Sequence, residues 1–234
     1  MGSQRLILFD IDGTILTTVR RAFDFPFSEA IREVLSLEAD AAQYRAGGKT
    51  DPQIIHELLA SSGLSPEQVD AAVPAIKIRY LEKLKQRLQT PDDAVLKPGI
   101  VELLDDLSSR TEVVMGLLTG NFEEGARLKL SLHGLNRYFP FGAFGDNARD
   151  RSPLPSRAVE AAWVYSGEAF RGKDIVIIGD TPHDVHCGQP LGVRTVAVAT
   201  GPYKMGQLRA ENPDFLFEDL SDTKKVMEAL LSPM

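Results

Sequence analysis

With one cysteine, Cys187, among its 234 residues the chain has no partner for an intrachain disulfide. That usage fits a reducing compartment, and no helix start or basic setting marks the thiol as reactive. No apolar run approaches the ~20 residues that cross a bilayer. The N-terminal residues lack a secretory pattern, so a cytoplasmic protein without a membrane partner is expected. Positive charge is in deficit: 26 Lys and Arg against 33 Asp and Glu give −7, which argues against broad nucleic-acid binding. Basic residues cluster between Lys77 and Arg87, but they alternate with apolar ones and read as a solvated helix face. Histidine is scarce, and around His183 and His186 no acid or cysteine constellation completes a tetrahedral zinc site. They read as helix-start and helix-face residues. Trp163 and Tyr165 read as packing residues of a helix. Internal repeats and low-complexity segments are absent as well.

What the chain does have is a set of apolar runs that each end in polar clusters. Leu6-Ile7-Leu8-Phe9 ends in Asp10-Ile11-Asp12-Gly13-Thr14. Val113 to Leu118 ends in Thr119-Gly120-Asn121, and Ile175 to Ile178 ends in Gly179-Asp180-Thr181-Pro182-His183-Asp184. Near-continuous apolar runs of this length read as strands buried on both faces, as in a parallel sheet. Ligands of open α/β sheets bind outside the carboxyl ends of the strands, where these clusters lie. Asp10 and Asp12 would share one side of an extended chain, and Gly13 lets the backbone turn close to a ligand. Paired acids there suit a hard cation, a nucleophile and a proton carrier.

Residues 20–90 lack such runs and read as helical. Phe27, Ile31, Val34 and Leu35 share one face, and Asp51-Pro52 opens a helix with an Ile54, Ile55, Leu58, Leu59 stripe that Gly63 would end. Ser65 to Gln68 is a capping box, and Pro74 is expected to kink or divide the helix that follows. From Pro98 the pattern alternates. Helices are expected at 99–109, 122–133, 155–166, 183–190 and 222–231. Strands are expected at 5–9, 112–118, 142–145, 174–179, 194–199 and 214–217.

The order Asp-x-Asp-Gly-Thr, Thr-Gly-Asn, Gly-Asp-x-x-x-Asp resembles the first, second and fourth motifs of the haloacid dehalogenase superfamily. The resemblance implies an α/β fold: a Rossmann-like, mainly parallel core (1–16 and 96–234) with an α-helical cap inserted at 17–95. It implies a magnesium-dependent phosphatase of a small phosphorylated metabolite, working through an aspartyl phosphate. Asp10 would be the nucleophile and Asp12 the proton carrier. Thr119, with the Gly120-Asn121 turn, would hold phosphoryl oxygens. The Asp10 and Asp180 carboxylates, the Asp12 carbonyl and Asp184 would surround Mg2+, with Asp184 as ligand or orienter. Phosphoglycolate and sugar phosphates both fit.

One motif departs from the pattern. The family places a lysine before Pro-x-Pro, but Ser152 stands before Pro153-Leu154-Pro155. Arg151 is the first candidate for the missing charge, Arg149 the second, and the cap's Lys49 remains if both face solvent. Arginine is not a geometric replacement for lysine. Gly47-Gly48-Lys49-Thr50-Asp51 reads as an interhelical turn, while the resemblance equally implies a substrate-facing loop in which Lys49 or Arg45 touches the substrate. The alternatives are a phosphomutase of the β-phosphoglucomutase type and a non-catalytic phosphate-binding module. The mutases carry a histidine just after the first motif, which Thr17-Thr18-Val19-Arg20 lacks. The sequence leaves oligomeric state open.

Overall fold

The computed structural model of the protein describes residues 4–18, 20–39, 44 and 46–232. Strand β1 (Arg5–Phe9) leads through β2 (Leu16–Thr18) into three helices, α1 (Arg20–Leu35), α2 (Asp51–Leu58) and α3 (Pro66–Arg87). The chain returns through β3 (Ala94–Leu96). There follow α4 (Ile100–Ser108), β4 (Val113–Leu118), α5 (Glu123–Ser131), β5 (Gly142–Ala143), α6 (Leu154–Ser166) and β6 (Ile175–Gly179). Last come α7 (Pro182–Cys187), β7 (Arg194–Val198), α8 (Met205–Ala210), β8 (Phe215–Phe217) and α9 (Thr223–Leu231).

Six strands form one all-parallel sheet in the order β5-β4-β1-β6-β7-β8. Alternation along β1 splits its side chains between two cores. Ile7 and Phe9 join Met115, Leu117, Val176 and Ile178 beneath α4, α5 and α9. Leu6 and Leu8 join Leu118, Ile175 and Ile177 beneath α6. Both faces are thus covered, which is why these strands read as unbroken apolar runs. From β1 the chain builds outward through β4 to β5, then returns to β6 on the other flank. This reversal opens a crevice at the carboxyl end of β1. Phe9 is level with both Leu117 and Ile178, so Asp10, Thr119 and Asp180 emerge at the same edge.

Helices α1 to α3 build their own core from Phe27, Ile31, Ile54, Ile55, Ile76, Tyr80 and Leu84. Phe27 stacks on Tyr80 at 4.0 Å between centroids. Phe122, from the start of α5, belongs to the same cluster and ties it to the sheet. Helix α3 starts with the expected capping box, Ser65 N donating to Gln68 Oε1 (2.8 Å) and Gln68 N to Ser65 Oγ (3.3 Å). Pro74 does not divide it: α3 is continuous from Pro66 to Arg87. Val69 before the proline and Ile76, Tyr80 and Leu84 after it are all buried in one core, and that packing outweighs a cost of about 3 kcal/mol for an interior proline. Helix α2 stops at Leu58, and Gly63 (φ 80°) belongs to the turn beyond it.

Much of the basic run on α3 is paired: Lys77 with Asp146, Lys83 with Glu33, Arg87 with Glu29. Trp163 and Tyr165 are exposed on α6, against the expectation that they pack; Tyr165 only leans on Phe141. Among the described residues no helix is long and apolar enough to cross a membrane.

Candidate active site

A cavity of about 880 Å³ lies between the carboxyl edge of the sheet and the helical insertion. Asp10, Asp12, Thr119, Gly120, Asn121 and Arg151 line its sheet side, and Gly47, Gly48, Lys49 and Asp51 face them from the insertion. Asp10 extends β1, its amide donating to the Ile178 carbonyl (3.0 Å). Gly13 then turns the chain with φ 92°. A Cβ there would stand 2.3 Å from Asp180 Oδ2, so no other residue fits the approach.

Asp10, Asp180 and Asp184 are buried, with carboxylate oxygens within 4.8 Å of one another. Like charges at about 4 Å repel by about 4 kcal/mol per pair at an effective dielectric near 20. Burial, then the Asp184 charge, pushes the Asp10 carboxyl up, against the pull of Arg151. Burial, then the charges of Asp10 and Asp184, does the same to Asp180. Among the described residues Asp180 Oδ2 is buried without a hydrogen-bond partner. An orphaned oxygen among clustered acids is the donor set of a hard divalent cation, and these residues fit one.

Arg151 supplies organic positive charge. It is buried, and Nη2 donates to Asp10 Oδ1 (3.2 Å), to Asp184 Oδ1 and to the Leu118 carbonyl (2.9 Å). Burial works against its charge, but Asp184 and Asp10 outweigh burial, so the guanidinium titrates even higher than usual. Arg149 points elsewhere and pairs with Asp70 at the surface. Ser152 is exposed and its amide donates to Asp150. Asp184 Oδ2 accepts from the Thr181 amide (3.0 Å) and hydroxyl (2.7 Å), which fixes its carboxylate at the start of α7.

Thr119 accepts from Asn121 Nδ2 (2.6 Å) and the Asn121 amide (3.3 Å), which leaves its hydroxyl proton to donate elsewhere. Asn121 Nδ2 also donates to Asp12 Oδ2 (2.8 Å). Lys129, absent from the sequence-derived set, is the surprise. Fully buried on α5, it donates to Asp12 Oδ1 (2.8 Å), Asp12 Oδ2 (2.7 Å) and Asn121 Oδ1 (2.6 Å). A signal existed: Phe122, Ala126 and Leu130 form a helical stripe, and Lys129 interrupts its apolar face.

On the insertion side, Gly47-Gly48 is a turn and Thr50 caps α2, so the interhelical reading holds, while Gly47, Gly48, Lys49 and Asp51 line the cavity. Lys49 faces the cavity with its ammonium on Glu57 (2.5 Å) and the Tyr44 hydroxyl (3.0 Å). Arg45 lies outside the described residues. Three bonds dock the turn onto the sheet edge: Asp51 N to the Gly120 carbonyl (2.8 Å), Phe122 N to Asp51 Oδ2 (2.7 Å), and Thr50 Oγ1 to the Ala148 carbonyl (2.7 Å). Lys97, Tyr203 and His183 also line the wall. His183 is a helix-start residue as expected, but it also faces the cavity, and burial followed by Arg151 lowers its pKa. His186 pairs with Glu211 on the surface. Burial pushes the Cys187 thiol up to about 11, which disfavours the reactive thiolate.

The haloacid dehalogenase-like hydrolase signature matches residues 7–198. The chain belongs to that family. Among relatives of the same length scale, a phosphoglycolate phosphatase of Pseudomonas syringae pv. syringae is 27% identical over 220 residues, covering 92% of this chain and 77% of that one. A pyrophosphatase PpaX of Oceanobacillus iheyensis is 22% identical over 229 residues, covering 94% and 95%. A solved hydrolase from Pseudomonas syringae superposes with a TM-score of 0.72 at 19% identity over 98% of this chain and all of that one. A β-phosphoglucomutase from Clostridium difficile superposes with 0.71 at 16% identity over 97% of each. The two superpositions speak to the fold, an α/β Rossmann-like sheet of haloacid dehalogenase type.

Proposed function

We propose that this hydrolase is a magnesium-dependent phosphatase of small phosphomonoesters. The observation that carries the reading is that Asp10, Thr119 and Arg151 line one cavity, with carboxylate oxygens of Asp180 and Asp184 within 4.8 Å of Asp10 and Arg151 paired to Asp10. We take residues 1–16 and 96–234 as the catalytic core and 17–95 as a cap that closes over the ligand. A volume of about 880 Å³ suits a small metabolite, and the lone cysteine accords with action in the cytoplasm.

The Asp10 and Asp180 carboxylates, the Asp12 carbonyl and Asp184 would hold Mg2+. That ion neutralises the acids and the phosphoryl group when bound. Asp10 attacks phosphorus in line; the new Asp10 O–P bond forms as the bond to the leaving alkoxide breaks, and Asp12 gives that alkoxide a proton. Water then attacks phosphorus, Asp12 takes its proton, and inorganic phosphate leaves the restored Asp10 carboxylate. Thr119 donates to a phosphoryl oxygen, with backbone amides of residues 11, 12 and the Gly120-Asn121 turn. Arg151 balances the charge of Asp10 during attack. Lys49 faces the portion of substrate beyond phosphorus.

A hydrolase is favoured over a mutase because Thr17 and Thr18, which line the cavity after the first motif, include no histidine. The test is hydrolysis of a phosphomonoester panel, with phosphoglycolate and pyrophosphate included because relatives bear those names. Turnover is expected with Mg2+, none after chelation, and none in a folded Asp10→Asn protein. An Asp10→Asn enzyme with near wild-type turnover would remove Asp10 as nucleophile.

A further inference from the structure

The triangle of Lys129, Asp12 and Asn121 lies beside the phosphoryl site, and the reaction as written does not use its lysine. A fully buried ammonium is expensive unless every proton finds an acceptor. Lys129 meets that demand with three oxygens, two of them on one carboxylate. An ammonium has three N–H donors, so the geometry specifies where the Asp12 carboxylate must stand. Asn121 adds a direction. Its Nδ2 donates to Asp12 Oδ2 and its Oδ1 accepts from Lys129, closing a ring of hydrogen bonds. Oδ2 therefore carries two donors and Oδ1 one. Oδ1 keeps the more open lone pairs.

From this we infer that Lys129 is a positioning residue: it holds Asp12 so that Oδ1 is the atom that exchanges a proton with the leaving group and then with water. The inference rests on the reading of Asp12 as proton carrier. Lys129 itself does not touch substrate; it does not line the cavity. Its own place is set by α5, whose first amides are capped from two sides. Phe122 N donates to Asp51 Oδ2 of α2, and Glu123 N to Asp146 Oδ2 (2.8 Å). The insertion thus bears on the helix that aims the proton carrier.

Lys129→Met keeps the stem and removes the donors. Misplacing a reacting group by about 1 Å costs about 10²-fold in rate, so kcat is expected to fall on that scale with KM within about twofold. Lys129→Arg should recover part of the loss. In an Asp12→Asn background, Lys129→Met should cost less than about twofold, because the group it positions is gone. A crystal structure of Lys129→Met should show the Asp12 carboxylate rotated. Wild-type kcat in Lys129→Met, an undiminished loss in the Asp12→Asn background, or an unmoved Asp12 in the crystal would each overturn the inference. If Lys129→Met does not fold, Lys129→Gln, whose shorter neutral amide offers two donors instead of three, must still lose kcat at constant KM. A wild-type enzyme inert toward every phosphomonoester would defeat the functional reading instead, and the position of Asp12 in the variant crystal would then decide the role of Lys129.

Discussion

Asp51 offers a test that needs no substrate. It is the first residue of α2, it is buried, and it accepts the Phe122 amide across the seam between insertion and sheet. Burial pushes its carboxyl up to about 7 from an ordinary 3.8; Lys129 and the Phe122 amide pull it down, and Asp12 and Asp146 push it further up. A carboxyl raised by folding binds its proton more tightly in the native state than in the unfolded chain. Its contribution is therefore full below the unfolded value and is lost as pH rises toward and through about 7. At about 1.36 kcal/mol per unit the whole swing is about 4 kcal/mol, of which about 2–3 kcal/mol falls between about pH 5 and about pH 8. Asp51→Asn keeps an oxygen for the Phe122 amide but has no proton to lose. Urea unfolding of both proteins across that range should show wild type losing about 2–3 kcal/mol relative to Asp51→Asn, or about 5–10 °C in Tm for a chain of this size. The other raised acids, Asp10 and Asp180, are common to both proteins and cancel in the difference. Parallel stability curves from about pH 5 to about pH 8 would refute the reasoning.

Arg151→Ala should lower kcat by about 10²–10³-fold, the scale of one lost charge-stabilising donor, and should destabilise the fold by about 3–5 kcal/mol because Asp10 and Asp184 lose a buried partner; steady-state kinetics and urea melts check both. Arg149→Ala, which removes a surface pair with Asp70 and a bond to the Pro66 carbonyl, should keep kcat within about twofold. Gly120→Ala would place a Cβ 2.0 Å from the Lys49 carbonyl oxygen, a backbone atom that cannot swing aside. It should raise KM and cost about 1–3 kcal/mol of stability, and an unchanged KM with an unchanged melt would show that the turn at Lys49 does not rest on Gly120.

The central strands were legible because a doubly covered parallel sheet writes itself as near-continuous apolar runs, and each of the six strands of the parallel sheet overlaps an expected one. Asp10, Thr119, Asp180 and Asp184 were legible because each follows such a run. Shorter pieces were not: β2, β3 and α8 have three, three and six residues, too few for a period to declare itself. Pro74 misled because helix propensity is local, while Val69, Ile76 and Tyr80 are held by contacts with α1 and α2. Lys129 escaped notice because it follows the second motif by two helical turns, where a lysine ordinarily faces water; only the tertiary position of Asp12 gives its burial a meaning. Arg151 and Arg149 differ by two residues in sequence, and only the path of the loop after β5 sends one inward and the other to Asp70.

Strands β2 and β3 are the two crossings between sheet and helices, and they are hydrogen-bonded to each other, Leu16 level with Leu96 and Thr18 with Ala94. Paired strands stand about 5 Å apart. To the sheet, everything between Thr18 and Ala94 is therefore a loop whose ends are already fastened together, and the cost of closing such a loop grows only slowly with its length. The ribbon is a chuck and the helices are the bit it grips. The proposed reacting groups stay with the sheet, while helices of another length or lining can be fitted at the same grip without moving a single strand. A fold joined this way can change what it recognises and leave what it does to phosphorus alone.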